Sequence, residues 1–167
     1  MMPAGPGTFP IADALNALGQ PPPDEWLRGL GTLPLVHQPG ERWMYDTAAD
    51  VTGVLIARAT GMSFGDALRE RICDPLGMKD TAFSVSGESM SRFATAYEQD
   101  NAATGEPVVE DGPDGQWSRP PAFEGGGGGL VSTADDYLAF GRMMLRQGRH
   151  GPDRILARPT VEAMTTD

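Results

Sequence analysis

The stretch DTAADVTGVLIARATGMSFGDALRERICDPLG (residues 46–77) carries the strongest structural signal in this sequence. Its first half predicts a helix from Asp46 or Thr47 to Thr60, because apolar residues recur there at helical spacing. Gly61 follows directly and can adopt the left-handed conformation that commonly ends a helix. The most strongly predicted element of the chain is therefore a helix that ends at this glycine.

The second half of the stretch predicts another helix, over residues 63–73. Ser63 stands at its N-cap and Asp66 follows three residues later, which is a close variant of a capping box. We expect the helix to stop at Asp74, because a residue that precedes proline disfavours helical geometry. Two consecutive helices joined by a short turn are thus predicted.

Shorter elements are predicted on both sides of these helices. In chain order they are helices over 11–18 and 23–30, a helical turn near Met90, strands at 107–109 and around Trp117, a helix from the cap at Ser132 to about Gln147, and a helix over 158–165. Glycine or proline lies at most of these boundaries, where it begins or ends a helix.

The composition excludes several classes of function. The chain has 167 residues, the usual size of one domain, with a formal net charge of -10 and a pI near 4.5. This acidity disfavours nucleic acid and anionic membrane surfaces as partners, because both are negatively charged. No run approaches the ~20 apolar residues of a membrane span, and no signal peptide is visible, so we expect a soluble, cytoplasmic protein.

The sequence predicts neither a metal site nor a cofactor. His37 and His150 are far apart, each beside a proline or glycine turn, and lack the spacing of a zinc-binding helix. Cys73 is the single cysteine, which rules out an internal disulfide and a cysteine-based metal site. Its position near a helix end predicts a buried, structural thiol.

The run EGGGGGL (residues 124–130) is the conspicuous low-complexity segment. It lacks the G-K-[ST] of a phosphate-binding loop, and Leu130 occupies the last glycine position of a dinucleotide-binding motif. Two interpretations remain: a flexible linker, or a segment whose backbone passes very close to another part of the chain. The ordered-looking sequence LVSTADDYLAF that follows favours the second interpretation.

Gly61-Met62-Ser63-Phe64-Gly65 matches the pattern G-x-S-x-G of hydrolase nucleophiles. That pattern requires a strand before the serine, whereas a helix precedes it here. Helix capping explains both glycine and serine, so Ser63 is predicted to be an N-cap. A small esterase that uses Ser63 with His150 stays open as an alternative.

Tyr45 follows a Pro-Gly turn and Trp43, just before the predicted long helix. A phenol is a base only when ionised, and tyrosine ordinarily has a pKa of about 10, so ionisation at pH 7 costs about 4 kcal/mol unless cations are near. The sequence holds one lysine, Lys79. The residues alone therefore favour a structural aromatic.

Two long phrases, residues 34–85 and 124–148, resemble the serine β-lactamase-related hydrolases: class C β-lactamases, D-alanyl-D-alanine peptidases and their esterase relatives. The matching features are PGE-x-W-x-Y, the helix after it, DPLGM-x-D-T, and the glycine-rich run with its helix. The resemblance implies an α/β (α+β) class, with a β-lactamase/transpeptidase-like fold, here mainly the helical lobe with few short strands. It also implies one partial domain over 1–167, in which 1–32 is a Pro/Gly-rich segment and 33–167 is the family-like lobe.

The resemblance also assigns roles to two residues. Tyr45-Asp46-Thr47 corresponds to the family motif Tyr-x-Asn, so Tyr45 is the implied acid/base residue and Thr47 the implied substrate-binding residue. A threonine hydroxyl lacks the separate acceptor and paired donors of an amide. This departure favours an ester substrate over a β-lactam.

The other two family motifs are absent from these residues. No serine has a lysine three residues later; the nearest case, Ser89-Met90-Ser91-Arg92, has an arginine that cannot act as a base. No Lys/His-x-Gly occurs in the expected place. We therefore expect a central fragment of a serine hydrolase, inactive alone, whose intact parent takes a small ester or amide. A non-catalytic binding module is the alternative from another class.

Overall fold

The computed structural model describes residues 12–43, 45, 47–85, 87–99 and 105–166. Its α-helices are α1 (Ala12–Leu18), α2 (Pro23–Leu30), α3 (Thr47–Thr60), α4 (Phe64–Leu68), α5 (Asp74–Leu76), α6 (Ala134–Leu145) and α7 (Arg158–Thr165). Its strands are β1 (Ala96–Gln99), β2 (Pro107–Asp111), β3 (Arg149–His150) and β4 (Asp153–Arg154). Helices thus dominate the described part of the chain, as the sequence predicts.

The strands form two separate antiparallel pairs, β1 with β2 and β3 with β4. The first pair has a register shift next to Ala96, so that Asp111 lies opposite Ala96 at its end. The strand predicted around Trp117 is wrong, because Gln116–Ser118 forms a 3-10 turn. The carboxylate of Asp111 causes this by accepting hydrogen bonds from the N–H groups of Gly112 (2.6 Å) and Gln116 (3.0 Å).

The helix after the long α3 continues further than predicted. A π-helical turn, Arg69–Cys73, follows α4, and the single turn of α5 includes Pro75. In a regular α-helix a proline leaves the carbonyl four residues earlier without its N–H donor, and the proline ring clashes with that carbonyl. Here the N–H of Asp74 bonds the carbonyl of Arg69 in the wider π turn, which gives the ring room. The helix ends instead at Gly77, which has a φ of 72°.

Two clusters form most of the core among the described residues. The first joins Cys73, Leu76 and Met78 to the fully buried Met143 of α6. The second joins Trp26 of α2, Val54 of α3 and Phe123, with the Trp26 and Phe123 ring centroids 4.9 Å apart. The second cluster matters for the site, because it fixes the glycine-rich segment that begins after Phe123 against α3.

Cys73 is a buried thiol, which confirms the prediction from sequence. Burial raises its pKa, and the negative charges of Asp136 and Asp74 raise it further. The thiolate, which is the reactive form of cysteine, is therefore disfavoured at neutral pH. Cys73 thus has a packing role in the first cluster.

The buried carboxylate of Asp136 connects the start of α6 to the loop after α5. Its Oδ2 atom accepts hydrogen bonds from the N–H of Asp80 and from the hydroxyl of Thr81, both at 2.8 Å. Only 8 % of the residue is exposed. Removing this carboxylate would leave two donors in a partly buried place without their acceptor.

We therefore expect Asp136→Ala to lower the free energy of unfolding by about 2–3 kcal/mol, since a hydrogen bond to a charged group contributes roughly that much. Urea denaturation followed by circular dichroism measures the change. Asp135→Ala is the matched control, because Asp135 occupies the same helix turn but is exposed. Equal losses in the two variants would show that the helix dipole, and not the buried contacts, is responsible.

Candidate functional site

The glycine-rich segment lies directly on the first turn of α3. A Cβ atom added to Gly126 would lie 2.0 Å from the carbonyl oxygen of Ala49, a distance that no side chain can occupy. A Cβ atom on Gly125 would lie 3.0 Å from Oδ1 of Asp50. The N–H of Gly127 donates a hydrogen bond of 2.9 Å to the same Oδ1. The interpretation of this run as a close approach of backbone is confirmed.

The segment is also held on either side of this contact. The carboxylate of Glu124 accepts a 2.7 Å hydrogen bond from the N–H of Gly65, at the start of α4. Farther on, the carbonyl of Gly129 accepts a 2.8 Å hydrogen bond from the indole N–H of Trp117. Val131 then exchanges backbone hydrogen bonds with Ala82. The glycines therefore allow close packing here and do not form a linker.

Tyr45 lies two residues before α3, the helix whose first turn contacts the glycine-rich segment. Its side chain is 79 % exposed, so Tyr45 is not part of the core. Its ring is adjacent to that of Trp43, with centroids 6.1 Å apart and an angle of 32° between the planes. Within the described part of the chain, no cation or hydrogen-bond partner contacts its hydroxyl.

Thr47 is the first residue of α3 and is partly buried. Asp46, the middle residue of the Tyr45-Asp46-Thr47 motif, lies outside the described residues. Three residues after Thr47, Asp50 holds the glycine-rich segment in place. The sequence analysis missed Asp50, although an acidic residue in the first turn of a helix is a recognisable signal for a contact with nearby N–H groups.

The one lysine of the chain is not placed beside Tyr45. Lys79 lines a cavity of about 170 Å³ whose walls also include Arg92, Ser132 and Thr133, and Tyr45 is not among the residues that line it. At this cavity Arg92 forms a 2.6 Å ion pair with Asp80, and this hydrogen bond lowers the pKa of the Asp80 carboxyl. Lys79 and Arg92 therefore line a cavity to which Tyr45 does not contribute.

Ser63 caps α4, as predicted. Its Oγ accepts a 3.0 Å hydrogen bond from the N–H of Asp66, and Gly61 before it has the left-handed φ of 69° that ends α3. His150 lies in β3, and no histidine among the described residues is hydrogen-bonded to Ser63. The G-x-S-x-G match is thus a junction between two helices.

Ser63→Ala is expected to lower the free energy of unfolding by about 1 kcal/mol, the typical effect of a lost N-cap, without affecting any esterase activity. Thermal denaturation and p-nitrophenyl acetate hydrolysis measure the two quantities. Ser63→Asp serves as the control, because aspartate also caps helices and should restore stability. Loss of hydrolysis in both variants would instead identify Ser63 as the nucleophile.

No group of three or more His, Cys, Asp or Glu side chains among the described residues is arranged to hold a metal ion. His37 and His150 do not come together in such a group. Likewise, none of the described helices has the length and apolar character needed to cross a bilayer.

Comparison with known proteins identifies the family. A sequence model described as Beta-lactamase matches residues 3–167. Protein Rv1367c of Mycobacterium tuberculosis is 44% identical over 166 residues, which cover 95% of this chain and 39% of that protein. Esterase EstB of Burkholderia gladioli is 37% identical over 131 residues, covering 69% of this chain and 32% of the esterase.

A solved structure supports the same assignment. EstCE1, described as a hydrolase with promiscuous acyltransferase activity, matches with a TM-score of 0.68 and 25% identity over 87% of this chain and 40% of that chain. The 167 residues thus span about a third to two fifths of the length of these relatives. With matches in sequence and in structure, this chain belongs to the Beta-lactamase family of serine hydrolase-like proteins and has its α+β fold.

Proposed function

We propose that this chain supplies the tyrosine-bearing lobe of a serine hydrolase that cleaves small esters through an acyl-enzyme. The supporting observation is the exposed Tyr45, two residues before a helix whose first turn is held by the glycine-rich segment. A family acid/base tyrosine must present its hydroxyl to substrate while the backbone around it stays fixed. The exposed side chain of Tyr45 supports the first condition, and the contact of the glycine-rich segment with the first turn of the helix after it supports the second.

The proposed reaction has two steps. A serine hydroxyl attacks the ester carbonyl, and the C–O bond to the alcohol breaks, leaving an acyl-serine ester. Tyr45 accepts the serine proton and returns it to the leaving alkoxide, while the Thr47 hydroxyl hydrogen-bonds the substrate. Water then attacks the acyl-serine, again with proton transfer through Tyr45, which releases the acid and restores the serine.

The nucleophilic serine and the Lys/His-x-Gly motif must come from outside these residues. The sequence 1–167 contains no S-x-x-K, and a serine needs a neighbouring base to attack at neutral pH. Ionisation of Tyr45 needs a nearby cation too, and a lysine beside the attacking serine would supply it. We therefore assign Tyr45 and Thr47 to an active site completed by flanking polypeptide.

An ester is the proposed substrate, in preference to an amide or a β-lactam. Thr47 stands where the family motif has asparagine. The asparagine side-chain amide could both donate to and accept from an amide group of the substrate, and a threonine hydroxyl cannot match this pairing. EstB is named as an esterase, and EstCE1 as a hydrolase with acyltransferase activity. Transfer of the acyl group to an alcohol is the same reaction with the alcohol in place of water.

Two samples test this proposal: residues 1–167 alone, and the product of the complete reading frame that carries them. Both are assayed with p-nitrophenyl acetate and nitrocefin, then labelled with a fluorophosphonate and mapped by mass spectrometry. We expect no turnover and no labelled serine in residues 1–167, and ester hydrolysis exceeding nitrocefin hydrolysis in the complete product. A labelled serine within 1–167 overturns the proposal in favour of the small esterase. Absence of hydrolysis from both samples favours the binding module.

A further inference from the structure

We infer that Asp50 is a positioning residue for the substrate contact of Thr47, an inference that rests on the proposed function. Asp50 lies in the first turn of α3, three residues after Thr47. Its Oδ1 atom accepts a hydrogen bond of 2.9 Å from the N–H of Gly127, which is 77 positions later in the chain. This bond ties the helix turn that carries the Thr47 hydroxyl to the glycine-rich segment. Asp50 thus acts through Thr47 and makes no contact with substrate itself.

Three consecutive glycines fit closely around Ala49 and Asp50. A Cβ atom at Gly125 would lie 3.0 Å from Oδ1 of Asp50, and one at Gly126 would lie 2.0 Å from the carbonyl oxygen of Ala49. Gly127 then supplies the N–H that the carboxylate accepts. Glycine is the residue that lets backbone approach this closely, so each of the three positions contributes to the contact.

The first turn of a helix is the part that needs such a restraint. Its N–H groups have no partner within the helix, and helix ends open more readily than helix centres. Thr47 is the first residue of α3 and is only partly buried. Movement of this turn would carry the Thr47 hydroxyl away from the substrate, where a small displacement is costly. A carboxylate suits this place, because a charged acceptor strengthens the bond to Gly127 and a negative charge is favourable at a helix N-terminus.

Steady-state kinetics with p-nitrophenyl acetate on the product of the complete reading frame test this inference. We expect Asp50→Ala to raise KM about fivefold, the order of effect of one hydrogen bond to substrate, with kcat within about twofold of the wild type. In the Thr47→Ala background the same substitution should change KM by less than about twofold, because the hydroxyl that Asp50 positions is then absent. Asp50→Asn should keep KM within about twofold of the wild type, because its side-chain oxygen can still accept from Gly127.

Asp136→Ala is the matched control, because it removes a carboxylate that also accepts a backbone N–H, at α6. It should destabilise the fold and leave KM within about twofold of the wild type. An equal rise of KM for Asp50→Ala in both backgrounds, or no rise in either, overturns the inference. An Asp50→Asn protein as impaired as Asp50→Ala overturns it too, because the retained acceptor would then be without effect.

A measurement without turnover separates this inference from the proposed function. The order parameter of the Thr47 γ-methyl group, whose NMR signal is identified by its loss in Thr47→Ala, reports the mobility of that side chain. We expect it to fall in Asp50→Ala and to keep its wild-type value in Asp50→Asn and Asp136→Ala. If the wild-type protein hydrolyses no ester, the proposed function fails, and the order parameter still decides whether Asp50 holds Thr47 in place. An unchanged order parameter in Asp50→Ala rejects the inference, whether or not the protein hydrolyses esters.

Discussion

Gly126→Ala is expected to lower the free energy of unfolding by about 3 kcal/mol, the upper end of the usual cost of overpacking. The added methyl group would lie 2.0 Å from the carbonyl oxygen of Ala49. That oxygen belongs to the backbone of α3, so it cannot rotate away as a flexible side chain would. Relief requires the glycine-rich segment to separate from the helix, which also breaks the hydrogen bond between Gly127 and Asp50.

Gly128→Ala is the matched control two residues along the same run. A Cβ atom at Gly128 meets no atom within 4 Å, and the residue is not among those with a positive φ. We expect its free energy of unfolding to change by at most about 0.5 kcal/mol, as at ordinary surface sites. Urea denaturation of both variants measures the difference. Similar losses in the two variants would mean that the run is sensitive to any side chain and that the contact with Ala49 is not special.

The glycine-rich segment also shows how far the sequence could predict the site. The ordered-looking sequence after the run indicated that glycine was needed for close packing, and the structure confirms it. The sequence did not identify the partner, because Asp50 and Gly127 are 77 positions apart. Local patterns predict helices and caps such as that of Ser63, whereas a contact over this separation depends on how the helices pack.

Two of the wrong predictions have local physical causes. The rule that a residue before proline disfavours helix placed a stop at Asp74, but a π turn accommodates Pro75 and delays the end to Gly77. A strand was predicted around Trp117, but the Asp111 carboxylate bonds two backbone N–H groups and folds the chain into a turn. In each case an alternative set of hydrogen bonds outweighed the preference of single residues.

Tyr45 presents the opposite case, in which the residues alone predicted less than the resemblance did. The residues alone favoured a structural aromatic, because a phenol without a nearby cation stays protonated. The side chain is exposed and lies outside the core. Exposure of an aromatic cannot be predicted from spacing in a segment that forms neither helix nor strand. The role implied by the family motif therefore remains a prediction, and it can be tested directly.

Tyr45→Phe is expected to reduce kcat for ester hydrolysis by about 10²–10³-fold in the product of the complete reading frame, within the range of general acid–base catalysis. Removing one oxygen leaves the ring and its contact with Trp43 in place. The hydroxyl has no hydrogen-bond partner among the described residues, so the free energy of unfolding should change by at most about 0.5 kcal/mol. Stopped assays with p-nitrophenyl acetate and urea denaturation measure the two effects.

Tyr137→Phe is the control, because Tyr137 is a similarly exposed tyrosine, on α6. Thr47→Ala should have a smaller effect that falls mainly on KM, because a substrate hydrogen bond is made in the ground state as well as in the transition state. A Tyr45→Phe protein that keeps kcat within about twofold would remove Tyr45 from the reaction, since proton transfer by a positioned side chain contributes far more. A large loss confined to Tyr45→Phe, with stability unchanged, would mean that its hydroxyl is required for the reaction and not for the fold.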